Sequence, residues 1–121
     1  GLDGVKDQID SSVTNVIKYI TPFDVNSTEE VPAKFVESYR AKYNKDPDQF
    51  AADGYDAVKT IYEAMKKADI KDPTISPADL SDKLIPVITS SDFKVVGATG
   101  TMTWDESGAC NKTPQIVTLG E

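Results

Sequence analysis

The stretch from Pro47 to Asp69 constrains the fold more than any other part of the chain. Its polar and apolar residues each recur every three or four positions, which is the spacing of an α-helix. The polar set is Asp53, Asp56, Thr60, Glu63 and Lys67, and the apolar set includes Ala51, Tyr55, Val58, Tyr62 and Met65. Because Ile61 and further alanines widen the apolar share beyond half of the circumference, we predict a helix that lies deep and shows only the polar stripe to water.

The first turns of this helix contain two residues that core packing explains poorly. Phe50 is a large aromatic residue at the very start, and Gly54 follows one turn later. Glycine inside a helix costs about 1 kcal/mol relative to alanine. We therefore predict that another group approaches the backbone closely at this point.

Two more helices flank the central one along the chain. The first begins near Ser27 or Thr28, which suit a helix N-terminus, and ends near Asn44, which suits a left-handed cap. Its apolar face comprises Phe35, Val36, Tyr39 and Tyr43. The third helix begins at Ser76-Pro77, a capping residue followed by a proline in the first helical position. Its apolar stripe comprises Leu80, Leu84, Val87 and Ile88.

β-Rich runs lie at both ends of the chain. The run Val13 to Ile20 has apolar residues at both odd and even positions, which predicts a strand covered on both faces, as in an α/β sheet. Two shorter strands are predicted near Thr101 to Trp104 and Gln115 to Leu119, joined by the polar loop Asp105 to Thr113. The predicted fold class is α/β, with three main helices packed on a small sheet.

Composition excludes several functions. The 121 residues suit about one domain, and 20 acidic against 13 basic residues leave a net charge of −7, which argues against a nucleic-acid surface. The single cysteine, Cys110, cannot form an internal disulfide. Because the chain has no histidine, Ser-His and Cys-His catalysis are excluded, and few residues remain that could bind a transition metal. The sequence also lacks a nucleotide-binding motif, so it gives no indication of a cofactor. Because the chain starts at Gly1 without methionine, we expect a piece of a longer protein whose targeting signal lies outside it.

Three motifs together resemble one known family. They are FVxxYxxKYxxxP at 35–47, FAAxGYDAV at 50–58 and GxTGxMxWDxxG at 97–108. Their order and spacing resemble the C-terminal third of the type I periplasmic binding proteins, specifically the branched-chain amino-acid (Leu/Ile/Val) substrate-binding subunits of ABC transporters. The resemblance covers nearly the whole chain.

The resemblance implies a function and its partners. In this family two lobes close over a small ligand, so residues 1–121 are expected to be a C-terminal fragment that contributes to both lobes. The implied role is to capture an amino acid or similar small polar solute and pass it to a membrane permease, without chemistry and without a cofactor. The implied location is extracellular, periplasmic or lipid-anchored at the cell surface. Since the fragment would leave apolar surface on the central helix and the edge of Val13 to Ile20 open, we also expect it to self-associate, as a homodimer.

The resemblance also implies two ligand-binding residues. Phe50 matches an aromatic that packs near the ligand, although an apolar helix also uses such a residue as core. Asp3, in Gly1-Leu2-Asp3-Gly4, resembles the acid that pairs with the ligand's ammonium group, and a carboxylate is the expected partner of a desolvated ammonium. Two alternatives remain for Asp3. It is a turn residue, or it is the second of two Asp-Gly pairs, in which case the ligand acid precedes residue 1.

Other functions remain open at this point. The same fold serves as the extracellular sensor domain of receptors, which a transmembrane segment and a kinase or cyclase region in the full-length gene would reveal. A hydrolase would have to rely on Asp3 and the Asp53/Asp56 pair, two carboxylates that do acid-base work if they lie in a cleft and that otherwise form a solvated helix face. Tyr55 and Trp104 are interpreted as packing residues.

Overall fold

Three helices and five short strands make up residues 8–119, the part of the chain that the computed structural model describes. In chain order the elements are β1 (Lys18–Thr21), α1 (Glu30–Tyr43), α2 (Gln49–Lys67), α3 (Pro77–Ile88), β2 (Val95–Gly97), β3 (Gly100–Trp104), β4 (Cys110–Asn111) and β5 (Gln115–Thr118). The three helices lie where the sequence predicts them. The class of fold, helices packed on small sheets, is confirmed.

The long helix α2 is held at both ends by the signals that its sequence carries. The Asp48 side chain caps its N-terminus by accepting a hydrogen bond from the Ala51 N–H at 2.8 Å. Lys66 and Lys67 occupy its last turn, where positive charge is favoured by the helix dipole. The predicted helix is therefore confirmed, with bounds inside the predicted stretch.

The caps of α1 and α3 follow the predictions with one exception. The α1 cap residue is Glu29, which makes no side-chain capping bond, rather than Ser27 or Thr28. Asn44 ends α1 in the left-handed conformation, with φ of 51°. Ser76 caps α3 by accepting a hydrogen bond from the Asp79 N–H at 3.1 Å.

The strands form two separate antiparallel sheets rather than one. The strands β1 and β5 pair with each other, with Lys18 opposite Thr118 and Thr21 opposite Gln115. The other sheet has the order β2-β3-β4. The strands β2 and β4 were not predicted, because three and two residues are too few to show an alternating pattern.

The prediction for Val13 to Ile20 is wrong in two respects. The strand covers only Lys18–Thr21, and within the described residues it pairs on one side alone. Val16 and Ile20 are 75% and 73% exposed, so this strand is not covered on both faces. Apolar residues in both registers show which side chains a strand could bury, but no second layer formed by residues 8–119 lies against Val16 and Ile20.

The core consists of two clusters that α2 connects. The first contains Phe23, Phe35, Val36, Ala52 and Ala98, and the second contains Ala64, Leu84, Phe93, Val95 and Met102. Ala52 and Ala64 both belong to α2, three turns apart on one face. Asp56 and Thr60 lie between them on the same face and are also buried. The side of α2 that faces the protein is therefore made of small and polar residues.

Candidate functional site

Phe50 lies at the first turn of α2 with its side chain in solvent. The residue is 62% exposed, and it belongs to neither core cluster. The interpretation of Phe50 as core is therefore wrong for the described part of the chain. Its role toward a ligand stays a prediction.

Asp3, the other predicted ligand residue, falls outside residues 8–119. The three interpretations of Asp3 from the sequence stay open: a ligand carboxylate, a turn residue, or the second of two Asp-Gly pairs.

Four of the exposed large apolar residues of α2 lie on one side of the helix, and we call them the α2 stripe: Phe50, Val58, Ile61 and Tyr62. Their spacing of eight, three and one positions places them on one side of the helix. Val58 is 69% and Tyr62 is 58% exposed. The prediction that α2 lies deep and shows only a polar stripe is wrong, because two members of that polar set, Asp56 and Thr60, are buried while the α2 stripe faces water.

Asp56 is buried because the turn after β2 supplies its hydrogen bonds. One carboxylate oxygen accepts the Ala98 N–H at 2.6 Å, and the other accepts the Thr99 N–H at 2.9 Å and the Thr99 hydroxyl. The residue is only 1% exposed. A buried carboxylate is tolerated when its oxygens are bonded in this way. We call this arrangement the Asp56 clamp; it fastens the turn at 98–99 to the middle of α2.

Glycine is required beside the clamp and not where the sequence indicated. A Cβ added at Gly97 would collide with the Asp56 carboxylate. Among residues 8–119, a Cβ added at Gly54 would meet no heavy atom within 4 Å outside its own helix backbone. The predicted close approach at Gly54 is therefore wrong for the described part of the chain, where the close approach occurs at Gly97.

The pair Asp53/Asp56 does not form an acid-base site. Asp56 is occupied by its three donors, and Asp53 pairs with Lys112, whose Nζ lies 2.7 Å from Asp53 Oδ1. The interpretation of this pair as a solvated helix face is also wrong for Asp56. Both carboxylates serve to connect α2 to the β2-β3-β4 sheet and the loop that follows it.

The third motif, at 97–108, consists largely of residues that build turns. Gly100 and Gly108 have φ of 94° and 82°, the left-handed region that favours glycine. Asp105 Oδ1 accepts the Ser107 N–H at 2.8 Å, the Ser107 hydroxyl at 2.6 Å and the Ala109 N–H at 3.0 Å. These bonds lower the pKa of Asp105, the Ser107 side chain contributing most, because they stabilise its charged form.

The structure also shows the surroundings of Trp104, Tyr55 and Cys110, the other residues considered from the sequence. The Trp104 ring packs against Phe93 with centroids 5.8 Å apart, and the Tyr55 ring lies 4.9 Å from that of Phe35, so the packing interpretation is confirmed for both. Cys110 is an exposed free thiol. Among residues 8–119, no group of acidic or cysteine side chains is placed to hold a metal ion. No helix in that range is both long and apolar enough to cross a bilayer.

Comparisons with known proteins identify the fold. Neither a protein-family model nor a curated protein matches the sequence, so the likeness comes from solved structures. The leucine-binding protein LivK of Thermotoga maritima is 25% identical with a TM-score of 0.65, over 88% of this chain and 28% of that one. A putative branched-chain amino acid ABC transporter protein of Rhodospirillum rubrum is 27% identical with a TM-score of 0.62, over 86% and 28%. A solute-binding protein of an ABC transporter from Rhodopseudomonas palustris, solved with benzoate, is 20% identical with a TM-score of 0.74, over 97% and 30%.

The chain has the fold of a portion of the solute-binding proteins of ABC transporters, that is, of the type I periplasmic binding protein fold. Within that class it resembles the branched-chain amino-acid substrate-binding subunits, as the three sequence motifs predicted. The chain spans 28% to 30% of the length of the three structures named above.

Proposed function

We propose that this chain is part of the solute-binding component of an ABC transporter, which captures a small solute outside the cytoplasm and passes it to a membrane permease. The observation that carries the proposal is that 84% to 97% of the chain aligns with structures of such proteins. The chain acts by binding, and its contribution extends over both lobes of the longer protein. In this proposal the protein is extracellular, periplasmic or lipid-anchored.

An amino acid is the proposed solute. LivK, at 25% identity, is a leucine-binding protein, and a further similar structure, LivJ of Streptococcus pneumoniae, at 26% identity with a TM-score of 0.50, was solved with isoleucine. Both solutes combine an ammonium group, a carboxylate and an apolar side chain. A site for them needs an apolar wall and a counter-charge for the ammonium group.

Phe50 and Asp3 are the residues that we assign to these two tasks. The role of Phe50 is supported by its position at the start of α2, where residues 8–119 leave it 62% exposed and Gly54 leaves open space one turn away. The role of Asp3 is supported by its negative charge, since a carboxylate binds an ammonium group more strongly than a neutral acceptor does. The rest of the α2 stripe is proposed to pack against other parts of the longer protein.

The experiment is a calorimetric titration of the longer protein and two variants with leucine, isoleucine and benzoate. We expect Phe50→Ala to weaken amino-acid binding at least about tenfold, or about 1.4 kcal/mol. The matched control is Tyr62→Ala, an exposed aromatic three turns along the same helix, which should lower the melting temperature without changing affinity. Equal affinities for wild type and Phe50→Ala would show that Phe50 is not part of the site. If the longer protein bound neither leucine nor isoleucine, the proposal that the solute is an amino acid would be contradicted.

The chain of 121 residues alone gives a second test. Part of a cleft cannot desolvate both ends of a zwitterion, so we expect weak or no binding of free amino acids. Micromolar binding of leucine by these residues alone would contradict the division of the site between this chain and the longer protein. In isolation the chain is also proposed to self-associate through its exposed apolar surface.

A further inference from the structure

A groove lined by aromatic rings runs between α1 and α2. Phe35, Tyr39 and Tyr43 follow one another at four-residue intervals on α1, with ring centroids 5.9 Å and 4.5 Å apart. Tyr55 of α2 closes the other side, its ring centroid 4.9 Å from that of Phe35. The cavity between them has a volume of about 360 Å³. The groove is therefore elongated along α1 and apolar at its base.

The rim of the groove is basic, in a chain that is acidic overall. Lys34, Ser38 and Lys42 line it at four-residue intervals, and none of the residues in 8–119 that line the groove carries a carboxylate. The chain contains 20 acidic residues against 13 basic ones, so this local excess of positive charge differs from the rest of the surface.

The two lysines differ in their partners. Lys34 Nζ lies 2.7 Å from Glu30 Oε1, one turn away on α1 and outside the groove. Lys42 makes no ion pair with any residue in 8–119, and its Nζ lies 5.4 Å from the centroid of the Tyr43 ring. On the opposite side, Lys59 Nζ lies 5.9 Å from the Tyr55 ring, and it too has no ion pair within the described residues. Lys42 and Lys59 therefore place positive charge next to apolar rings without an ion-pair partner among residues 8–119, whereas the charge of Lys34 is compensated by Glu30.

We propose that this groove docks an acidic amphipathic helix of a partner protein. The apolar side chains of that helix would cover the rings of Tyr39, Tyr43 and Tyr55, above the buried Phe35, and its carboxylates would pair with Lys42 and Lys34. Anchors that recur every three to four residues are the usual means by which a helix binds in an apolar groove. The proposal does not depend on the transport function.

The spacing of the lysines favours a helix over a small solute. Lys34 and Lys42 are eight residues apart on α1, which corresponds to about 12 Å along the helix axis. A single small carboxylate can reach one of them at a time. Two acidic residues two turns apart on a facing helix reach both, because the two helices share the same rise per residue.

The probe is a fluorescent helical peptide of about 15 residues, with two glutamates two turns apart beside a leucine stripe. Its matched control has lysines in place of both glutamates. Binding to the full chain is followed by fluorescence anisotropy, for wild type, Lys42→Glu and Lys83→Glu. Lys83 is an exposed α3 lysine away from the groove, without an ion pair in the described part, and it controls for the change in net charge.

We expect the acidic peptide to bind wild type and Lys83→Glu alike and Lys42→Glu at least about tenfold more weakly. Added salt should weaken binding, and the lysine peptide should prefer Lys42→Glu, since the charges are then exchanged. Circular dichroism of each variant establishes that it is folded. The proposal is overturned if the acidic peptide does not bind at roughly millimolar concentration or if the two lysine variants weaken binding equally. Binding of benzoate in the groove without binding of the peptide would also overturn the proposal. So would a dimer of this chain that Lys42→Glu dissociates and Lys83→Glu does not, since a second copy of the chain would then occupy the groove.

Discussion

The two faces of α2 are composed in the opposite way to those of an ordinary surface helix. The face toward the protein carries Ala52, Asp56, Thr60 and Ala64, all buried. The face toward solvent carries the α2 stripe, with two aromatic and two aliphatic side chains. The helix is therefore amphipathic in sequence, but its large apolar side is not the one that packs in residues 8–119.

The difference between these faces shows that specific partners determine which side of a helix is buried. Asp56 finds three donors in the turn at 98–99, and these offset the cost of removing a carboxylate from water. Small residues on either side of it let that turn approach α2. The α2 stripe has apolar surface to bury, and we propose that it does so in the longer protein.

Asp56→Ala should have the largest effect on stability. Removing the carboxylate leaves the Ala98 and Thr99 N–H groups and the Thr99 hydroxyl without their partner in a buried site. We expect a loss of about 3–5 kcal/mol in the free energy of unfolding, measured with urea.

Asp53→Asn is the matched control for that variant, because it removes the neighbouring carboxylate from a partly exposed ion pair. It should cost less than about 1 kcal/mol. If Asp56→Ala and Asp53→Asn lowered the free energy of unfolding by similar amounts, the Asp56 clamp would not be what stabilises the buried face of α2.

Gly97→Ala should have an intermediate effect. Its Cβ would overlap the Asp56 carboxylate, so we expect a loss of about 1–3 kcal/mol in the free energy of unfolding. The cost should shrink when Gly97→Ala is combined with Asp56→Ala, since the two residues share one contact.

The control is Gly54→Ala, on the exposed part of α2, which should raise stability by about 0.5–1 kcal/mol because the new Cβ meets no atom. A destabilising Gly54→Ala would reinstate the close approach that the sequence predicted there.

Val58→Ser should change stability least and association most. Val58 is 69% exposed, so the free energy of unfolding should change by no more than about 0.5 kcal/mol. If the isolated chain self-associates through the α2 stripe, light scattering over a range of concentrations should show weaker association for this variant. Val96→Ser, at an exposed valine of β2, serves as the control. A monodisperse wild-type monomer at high concentration would contradict self-association.

The helices and the class of fold could be predicted from the sequence because their signals are local. Asp48, Asn44 and Ser76 act within a turn of their own positions, and helical periodicity extends over many residues in α2. The three family motifs predicted the same class of fold independently, and the similarity to solved structures confirms it.

The clamp and the orientation of α2 could not be predicted, because both depend on contacts between distant positions. Asp56 and the turn at 98–99 are 42 and 43 residues apart, and nothing in the helical pattern distinguishes Asp56 from Asp53. The available signal was Gly97, at the end of β2, rather than Gly54 in the helix. The prediction of a strand at Val13 to Ile20 was wrong for a related reason, because β-propensity does not reveal which part of the protein covers a strand.

Thiol labelling at Val58 measures whether the part of the α2 stripe beyond Phe50 is covered in the longer protein, as we propose. Val58→Cys, made together with Cys110→Ser so that only one thiol reacts, is treated with a maleimide in the chain of 121 residues and in the longer protein. Ser81→Cys on the exposed side of α3, in the same background, reports any general change in reactivity. We expect Val58→Cys to react at least about tenfold more slowly in the longer protein, and Ser81→Cys to react at the same rate in both. Equal rates for Val58→Cys in the two proteins would contradict it.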